Sequence, residues 1–423
     1  MSSLYSGNIF FVTILIFLLV GCTDSDYQPI ESIDFNERNG VSNVFYKLEN
    51  KDTVRVAYLG GSITAQKGWR VYSLDWFKEN FPQTHIEEIN AAIGGTGSDF
   101  GVFRLQEHVL KYDPDLIFIE FAVNDASKSQ DKIIQAMEGI IHQAWKKDAS
   151  IEVCFVYTIR DSFQKKYRLD SLPNSVDAME KVADFYQLPS INFGPEVTKR
   201  VMENTIIFKG RNAENDSIPY FSPDGVHPNP ETGHKIYHEV FIKAFEVLKG
   251  RPHDRPRDHE LVGPIDPDYI SNAQMLPWSE VLTNSGWTSI MVEKDSTFKK
   301  FKTYFNNIGE ARPGDSLTID FKGKTIGFYD LRGPGTGTVL LKIDGKPRDT
   351  ISRFDKYCTY WRISYSMIGG LRDTSHSVVF KVLDLPIDKK KILSLRENKM
   401  KKEADYQPIN WYLAKILIDG ILN

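Results

Sequence analysis

Between Val54 and Leu248 the chain alternates short apolar runs with longer amphipathic ones. Short apolar runs are typical of strands buried on both faces, and the longer runs repeat their apolar residues at the helical period. The predicted strands lie near Val54–Leu59, Ile86–Ala91, Leu116–Ala122, Ile151–Ile159 and Ser190–Phe193. The predicted helices lie near Trp69–Asn80, Asp99–Leu110, Asp131–Lys147, Val176–Tyr186, Pro195–Glu203 and Glu231–Leu248. This order predicts an α/β domain over residues 51–250, with a doubly wound parallel five-stranded sheet.

The chain changes character after Gly250. A charged, proline-marked stretch predicts a linker over residues 251–265. Beyond it there is no strong helical pattern, and turn dipeptides such as Asp344-Gly345 separate short β-type runs. These runs are Ser316–Phe321, Thr325–Tyr329, Gly337–Ile343, Ser377–Val382 and Trp411–Ile418. Residues 266–423 are therefore predicted to form a C-terminal antiparallel β-sandwich or jelly roll.

The first residues indicate export. Ile9–Val20 is apolar but too short to cross a bilayer, as in the core of a signal peptide. The following Gly21-Cys22 completes a segment that resembles a lipobox, although the residues before the apolar run include no Lys or Arg. We expect a signal peptide at residues 1–21, a lipid anchor on Cys22 and a polar tether over residues 22–50. An ordinary secretory peptide is the alternative.

This resemblance implies an exported bacterial lipoprotein of the outer membrane, on its periplasmic face or at the cell surface.

Composition excludes other classes of partner. A net charge of -4 over 423 residues is too mild for nucleic-acid binding through a broad basic face. Three cysteines cannot form a dense disulfide framework, and no Cys and His residues have zinc-site spacing. We therefore expect no metal and no cofactor.

Four short polar segments follow predicted strands or precede the last predicted helix. They are Gly60–Thr64, Gly94–Gly97, Val123–Asp125 and Asp224–His227. Loops and helix starts converge at the carboxyl ends of parallel strands, and ligands bind there. Because three segments directly follow the first three strands, we expect all four to meet at one edge of the sheet.

These segments contain the groups that a serine esterase needs. Serine is a weak nucleophile unless a neighbouring base accepts its proton, and His227 is the candidate base for Ser62. Asp224, three residues before that histidine, is placed to hold the other ring nitrogen. Attack on an ester creates an oxyanion, which aimed hydrogen-bond donors stabilise. The predicted catalytic residues are therefore Ser62, His227 and Asp224.

In order and placement the segments resemble the four blocks of the SGNH (GDSL-type) serine hydrolases. The resemblance covers roughly Val54 to Leu248. It implies an oxyanion hole made by the backbone N–H of Ser62, the backbone N–H of Gly95 and the side-chain amide of Asn124. Gly94 is the alternative to Gly95. With the appended β-domain, the whole chain resembles lipoprotein carbohydrate acetylesterases.

Departures from the family pattern are small. Gly61 stands where the family name has aspartate, and Ala122 stands where glycine is common. Neither change removes a catalytic group. Glu120 interrupts an otherwise apolar strand and should find a partner if it is buried, but the sequence assigns it no role.

Each segment also has a structural interpretation. Ser62 or Asn124 would equally serve as a helix cap, and Asp224 begins a common turn. Only the occurrence of all four segments in order favours a single site. Trp69 and Arg70 follow the nucleophile closely and are candidates for a substrate subsite, although an aromatic residue on a helix more often belongs to a core.

These observations predict a serine esterase of the cell envelope. It would hydrolyse O-acyl esters, above all O-acetyl esters, on polysaccharides or oligosaccharides through an acyl-enzyme. An acetylated glycan is then its substrate, and a lipid anchor on Cys22 ties it to the membrane. A lipase, lysophospholipase or thioesterase of the same superfamily is one alternative, and a non-catalytic glycan-binding lipoprotein is another.

Overall fold

The computed structural model describes residues 34–210, 218–253 and 255–423. The predicted signal peptide, the predicted anchor Cys22 and the first part of the predicted tether lie outside the described residues. In the part of the chain that is described, no helix combines the length and apolar character needed to cross a bilayer.

The N-terminal half is built on a six-stranded sheet. Its strands are β1 (Phe35–Asn36), β2 (Thr53–Gly60), β3 (His85–Ala92), β4 (Leu116–Glu120), β5 (Glu152–Tyr157) and β6 (Ser190–Asn192). They lie in the order β1-β6-β5-β4-β2-β3. The five predicted strands run parallel, and β1 is an additional antiparallel edge strand. A separate small pair joins β7 (Ile207–Lys209) to β8 (Tyr220–Ser222).

Helices cover both faces of this sheet. They are α1 (Ser42–Asn50), α2 (Ser62–Ala65), α3 (Trp69–Asn80), α4 (Ser98–His108), α5 (Gln130–Lys147), α6 (Gln164–Tyr167), α7 (Asn174–Tyr186), α8 (Gly194–Met202) and α9 (Gly233–Lys249). In β2, Ala57 and Leu59 face the core that contains α4, α5 and α7, whereas Val56 and Tyr58 face the core that contains α1, α3 and α9. The predicted doubly wound α/β fold is confirmed.

The segment before β2 differs from the prediction of a flexible tether. Residues 34–50 form β1 and α1, and α1 buries Val44, Phe45 and Leu48 in the same core as α9. Arg38 pairs with Glu180 of α7 at 2.7 Å. The segment is polar overall, but Val44, Phe45 and Leu48 lie on one face of α1. Their burial fixes the segment to the domain.

The C-terminal half is an antiparallel β-fold, as predicted. Its strands are β9 (Ala273–Pro277), β10 (Leu282–Thr283), β11 (Thr288–Met291), β12 (Asn307–Ala311), β13 (Ser316–Arg332), β14 (Thr338–Ile343), β15 (Lys346–Ser352), β16 (Arg362–Ile368), β17 (Thr374–Leu383) and β18 (Trp411–Leu422), with the short helix α10 (Lys389–Ser394). Two predicted runs merge into β13, whose register shifts between Gly323 and Thr325. Because β13 pairs with β17 along its first part and with β16 along its second, all ten strands form one continuous sheet.

The two halves share an apolar core. Residues of α4 and α5 lie in one cluster with residues of β9, β12, β13 and β18. The Phe100 ring of α4 lies 4.6 Å from the Tyr329 ring and 4.7 Å from the Tyr365 ring, measured between centroids. A shared core of this kind resists relative motion of the two halves.

The predicted linker is anchored to the first half. The His259 ring stacks on Trp145 of α5 at 4.6 Å, and its Nε2 atom lies 2.9 Å from the Glu152 carboxylate. Further along, the backbone N–H of Ile265 donates to Glu138 of α5 at 2.6 Å. These contacts hold the connection on the surface of the α/β domain.

Candidate active site

The turn after β2 presents Ser62 at the carboxyl end of the sheet. β2 ends at Gly60, Gly61 is extended, and Ser62 opens the short helix α2. A Cβ atom on Gly61 would collide with the side-chain amide of Asn124, which lies just after β4. A side chain at position 61 would therefore require the Asn124 amide to move.

Ser62, His227 and Asp224 form one chain of hydrogen bonds. The Oγ atom of Ser62 lies 2.8 Å from Nε2 of His227. The Nδ1 atom of the same ring lies 2.7 Å from Oδ2 of Asp224. With Nδ1 protonated and donating to the carboxylate, Nε2 is free to accept the serine proton. The structure thus brings together all three predicted catalytic side chains, although they are separated by up to 165 positions in sequence.

Asp224 also organises its own loop. Its Oδ1 atom accepts the backbone N–H groups of Val226 at 2.9 Å and His227 at 2.8 Å. Burial raises the pKa of the Asp224 carboxyl, but the hydrogen bonds from the His227 ring and from these two N–H groups outweigh that effect. The resulting pKa is well below the ordinary value, so the carboxylate is ionised at neutral pH.

Gly225 gives this loop its shape. Its φ of 82° lies in the left-handed region, which a residue without a Cβ adopts at little cost. Its N–H donates to Oγ of Ser222, and its carbonyl accepts the N–H of Asp161 at 2.8 Å. The loop that carries the histidine is therefore tied both to β8 and to the loop that follows β5.

Two of the segments predicted to supply oxyanion donors lie beside the turn that carries Ser62. The Asn124 amide packs against Gly61, and a Cβ atom on Gly94 would lie 3.5 Å from the Ser62 Cβ. Gly95 has a φ of 75° and faces open space. Both glycines are exposed at the same edge as Ser62. The assignment of the second backbone donor to Gly95, with Gly94 as the alternative, stays a prediction.

Trp69 and Arg70 do not face the site, contrary to the prediction of a substrate subsite. Trp69 is 1% exposed and packs edge-on against Tyr58 and Phe118 in the core. The buried Arg70 side chain donates to the carbonyl of Thr64 at 2.9 Å and forms an ion pair with Glu88. Their position at the start of α3 directs both side chains into the domain, where they support the turn behind the nucleophile.

Glu120, which the sequence left without a role, lies beneath the nucleophile turn. Its carboxylate accepts the hydroxyls of Thr64 and Thr158, each at 2.7 Å. Burial raises the pKa of Glu120, while hydrogen bonds from the two threonines and from the Gly61 backbone act in the opposite direction. A charged residue inside an apolar strand was the available signal, but its partners come from distant segments.

His234 is a second histidine near the site that the sequence did not single out. Its Nδ1 atom accepts the backbone N–H of Trp69 at 3.2 Å, and Nε2 lies 3.3 Å from Gln66. Burial, followed by the proximity of His227, lowers the pKa of His234 to about 4. The neutral ring therefore holds the connection between α2 and α3.

Two solved structures illustrate what this chain is similar to. A two-domain esterase active on acetylated mannans, co-crystallised with mannopentaose, has a similar structure, with a TM-score of 0.65 and 19% identity over 88% of this chain and 92% of that chain. A lipase/acylhydrolase from Enterococcus faecalis matches with a TM-score of 0.36 and 19% identity over 49% of this chain and 100% of its own. No curated protein matches the chain.

The first of these similarities shows that the folds of the two halves also occur together in another protein. The sequence itself matches the GDSL-like lipase/acylhydrolase family over residues 58–236, which include Ser62, Gly95, Asn124 and His227. Residues 58–236 therefore form a GDSL-like lipase/acylhydrolase domain, and the protein is a carboxylic ester hydrolase.

Proposed function

We propose that this protein is a carbohydrate esterase that removes O-acetyl groups from polysaccharides or oligosaccharides. One observation carries the proposal: Ser62, His227 and Asp224 form a relay with hydrogen bonds of 2.8 and 2.7 Å, beside the amide of Asn124. This arrangement supplies a nucleophile, its base, the group that orients the base, and a donor for developing negative charge.

The geometry supports a reaction in two stages, acylation of Ser62 followed by deacylation. Ser62 Oγ attacks the acetyl carbonyl while His227 Nε2 takes its proton, and the Asn124 amide stabilises the resulting oxyanion. The C–O bond to the sugar then breaks, and the imidazolium returns the proton to the departing sugar oxygen. Water, deprotonated by the same ring, attacks the acetyl-serine, and acetate leaves as the serine hydroxyl is restored.

The exposure of the relay supports a glycan-borne ester. The His227 side chain is 37% exposed and the Asp224 side chain 53% exposed, so the relay opens onto the surface. A small acetyl group on a bulky polymer needs such access, whereas a long acyl chain needs a deep apolar channel. The similar two-domain fold of an esterase active on acetylated mannans adds support for this substrate class.

Acetate release from acetylated mannan, xylan and pectin by the purified protein would test this proposal. Ser62→Ala is the control, and we expect it to lose essentially all turnover while remaining folded. We also expect Asn124→Ala to lower kcat by roughly 10²- to 10³-fold. Wild-type turnover by Ser62→Ala would exclude the proposed nucleophile.

Nitrophenyl esters of increasing chain length would distinguish the alternatives. The proposed activity requires acetate to be the best acyl group. A preference for long chains would favour a lipase or lysophospholipase, and glycan binding without any turnover would favour a non-catalytic lipoprotein.

We further propose that the protein is an exported lipoprotein anchored through Cys22, because Gly21-Cys22 ends an apolar run with lipobox character. Metabolic labelling with a fatty-acid probe would test this. Labelling should be present in the wild type and absent in Cys22→Ala, and unlabelled wild type would instead favour an ordinary secretory peptide.

A further inference from the structure

The C-terminal sheet reaches the loops of the candidate active site through one tyrosine. Tyr365 lies on β16, opposite Tyr329 of β13 in the register of the sheet. Its hydroxyl donates to Oδ1 of Asp99 at 2.9 Å and accepts the backbone N–H of Gly97 at 3.4 Å. Gly97 lies two residues after Gly95, and Asp99 belongs to the first turn of α4.

Asp99 continues this connection toward Asn124. Lys128 Nζ bridges the carboxylates of Asp99 and Asp125, with both distances at 2.6 Å. Asp125 is fully buried, and its carboxylate also accepts the N–H of Ser98 at 3.2 Å. Because Asp125 directly follows Asn124, the network fixes the backbone next to the amide that would stabilise the oxyanion.

The buried position of the network makes its geometry stiff. Lys128 is attracted to two carboxylates at once and is largely removed from water, which strengthens the interaction of the three charges. The Tyr365 ring lies nearly parallel to that of Phe100, with an angle of 14° between their planes. The hydroxyl is therefore aimed at Asp99 by ring packing as well as by hydrogen bonds.

We propose that Tyr365 of the C-terminal sheet is a positioning residue for the reaction: through Asp99, Lys128 and Asp125 it holds the Asn124 amide in the orientation that stabilises the oxyanion. The inference rests on the proposed esterase function. The hydrogen bonds of Tyr365 go to Gly97 and Asp99 and not to the Ser62–His227 pair, so its contribution is to orientation. Small misplacements of an oxyanion donor are costly in rate.

Tyr365→Phe tests this role, because it removes the hydroxyl and leaves the stacked ring. With nitrophenyl acetate we expect kcat to fall roughly 10-fold and KM to stay close to the wild-type value. Tyr329→Phe is the matched control. Its ring also packs on Phe100, but among the described residues its hydroxyl has no hydrogen-bond partner, so kcat should not change.

A double-mutant cycle separates positioning from a general structural effect. In an Asn124→Ala background the amide is absent, so Tyr365→Phe should cause little further loss of kcat. Independent losses that multiply would overturn the inference, as would wild-type kcat in a Tyr365→Phe protein, whether or not its melting temperature falls. Asp99→Asn interrupts the same network from the other side, and it gives the same test if Tyr365→Phe does not fold.

The proposed function and this inference fail differently. If the wild-type protein hydrolyses no ester, the proposed function is wrong and the inference falls with it. If the wild type is active and Tyr365→Phe is equally active, only the inference is wrong. A loss seen with acetylated glycan but not with nitrophenyl acetate would assign Tyr365 to substrate binding and would also overturn it.

Discussion

Asp224 uses its two carboxylate oxygens for two purposes, since one holds the His227 ring and the other holds the backbone of the loop. Asp224→Asn preserves the size of the side chain but can place an NH₂ group against Nδ1, which favours the wrong tautomer of the ring. We expect kcat to fall roughly 10³-fold or more while the fold is retained. Steady-state kinetics with nitrophenyl acetate would measure the loss, and a kcat close to wild type would contradict the assigned role.

The same carboxylate leads to an expectation about pH. Because the folded-state pKa of Asp224 lies below its ordinary value of 3.8, the stability that its hydrogen bonds contribute is fully present above that value. It is lost only as pH falls through the lower, folded-state pKa. Loss of activity near neutral pH would therefore have another cause.

His234 gives a prediction for stability. Its folded-state pKa of about 4 lies below its ordinary value of 6.5, so the unfolded chain binds a proton that the folded chain does not. The free energy of unfolding should fall as pH drops from about 6.5 to about 4, by on the order of 3 kcal/mol for this one group.

In urea unfolding over this pH range, His234→Gln should show a smaller slope of stability against pH. His85→Gln is the control, because the His85 side chain is 70% exposed. Equal slopes for wild type and His234→Gln would show that another group is responsible.

Much of the candidate site was predictable at the scale of residues. Ser62, His227 and Asp224 could be predicted for two reasons. Parallel-sheet topology indicates where their segments meet, and a serine nucleophile needs a base and a carboxylate beside it. The subsite prediction for Trp69 and Arg70 was wrong, because nearness in sequence to Ser62 does not determine which way a side chain on α3 points. The depth of a side chain depends on segments far away in the chain.

At the scale of elements, the turn that carries Ser62 is supported by the buried carboxylate of Glu120. Glu120 at the end of β4 accepts hydroxyls from Thr64 of α2 and Thr158, and the Gly61 backbone contributes a further bond. In Glu120→Ala these buried donors lose their acceptor, and we expect a loss of about 2 to 5 kcal/mol in the free energy of unfolding.

We expect kcat to fall as well, because the turn that presents Ser62 loses its support. Chemical denaturation and steady-state kinetics would measure the two effects. Glu79→Ala, on the exposed side of α3, is the control and should change neither quantity. Unchanged stability in Glu120→Ala would show that the threonines find other acceptors.

At the scale of elements, the sequence predicted the parallel strands and the principal helices to within a few residues. Strands buried on both faces leave a strong apolar signal, so β2, β4 and β5 were easy to find. The helix α1 was missed because three apolar residues in a polar segment give a weak signal. The merging of two runs into β13 was missed because pairing with β16 and β17 is decided by tertiary contacts.

At the scale of the whole molecule, the apolar core shared by α4, α5 and the C-terminal sheet makes the two halves interdependent. Deletion of residues 266–423 would expose Phe100, Val102 and neighbouring apolar side chains, and each loses roughly 1.5 to 3 kcal/mol of burial. We expect the remaining fragment to aggregate or to unfold well below the wild-type melting temperature.

Soluble yield and thermal unfolding of the fragment would measure this effect. Co-expression of residues 266–423 as a separate chain is the matched control and should restore part of the soluble yield. A soluble fragment that melts cooperatively at the wild-type temperature would show that the interface is dispensable.

The common core also has a consequence for how the protein evolves. A substitution that enlarges a side chain on the face of α4 that packs on the C-terminal sheet requires a smaller side chain on the facing strands. We therefore expect substitutions in the two halves to be correlated in evolution. Recombination that exchanges only one half between distant relatives would bring together surfaces never selected to fit.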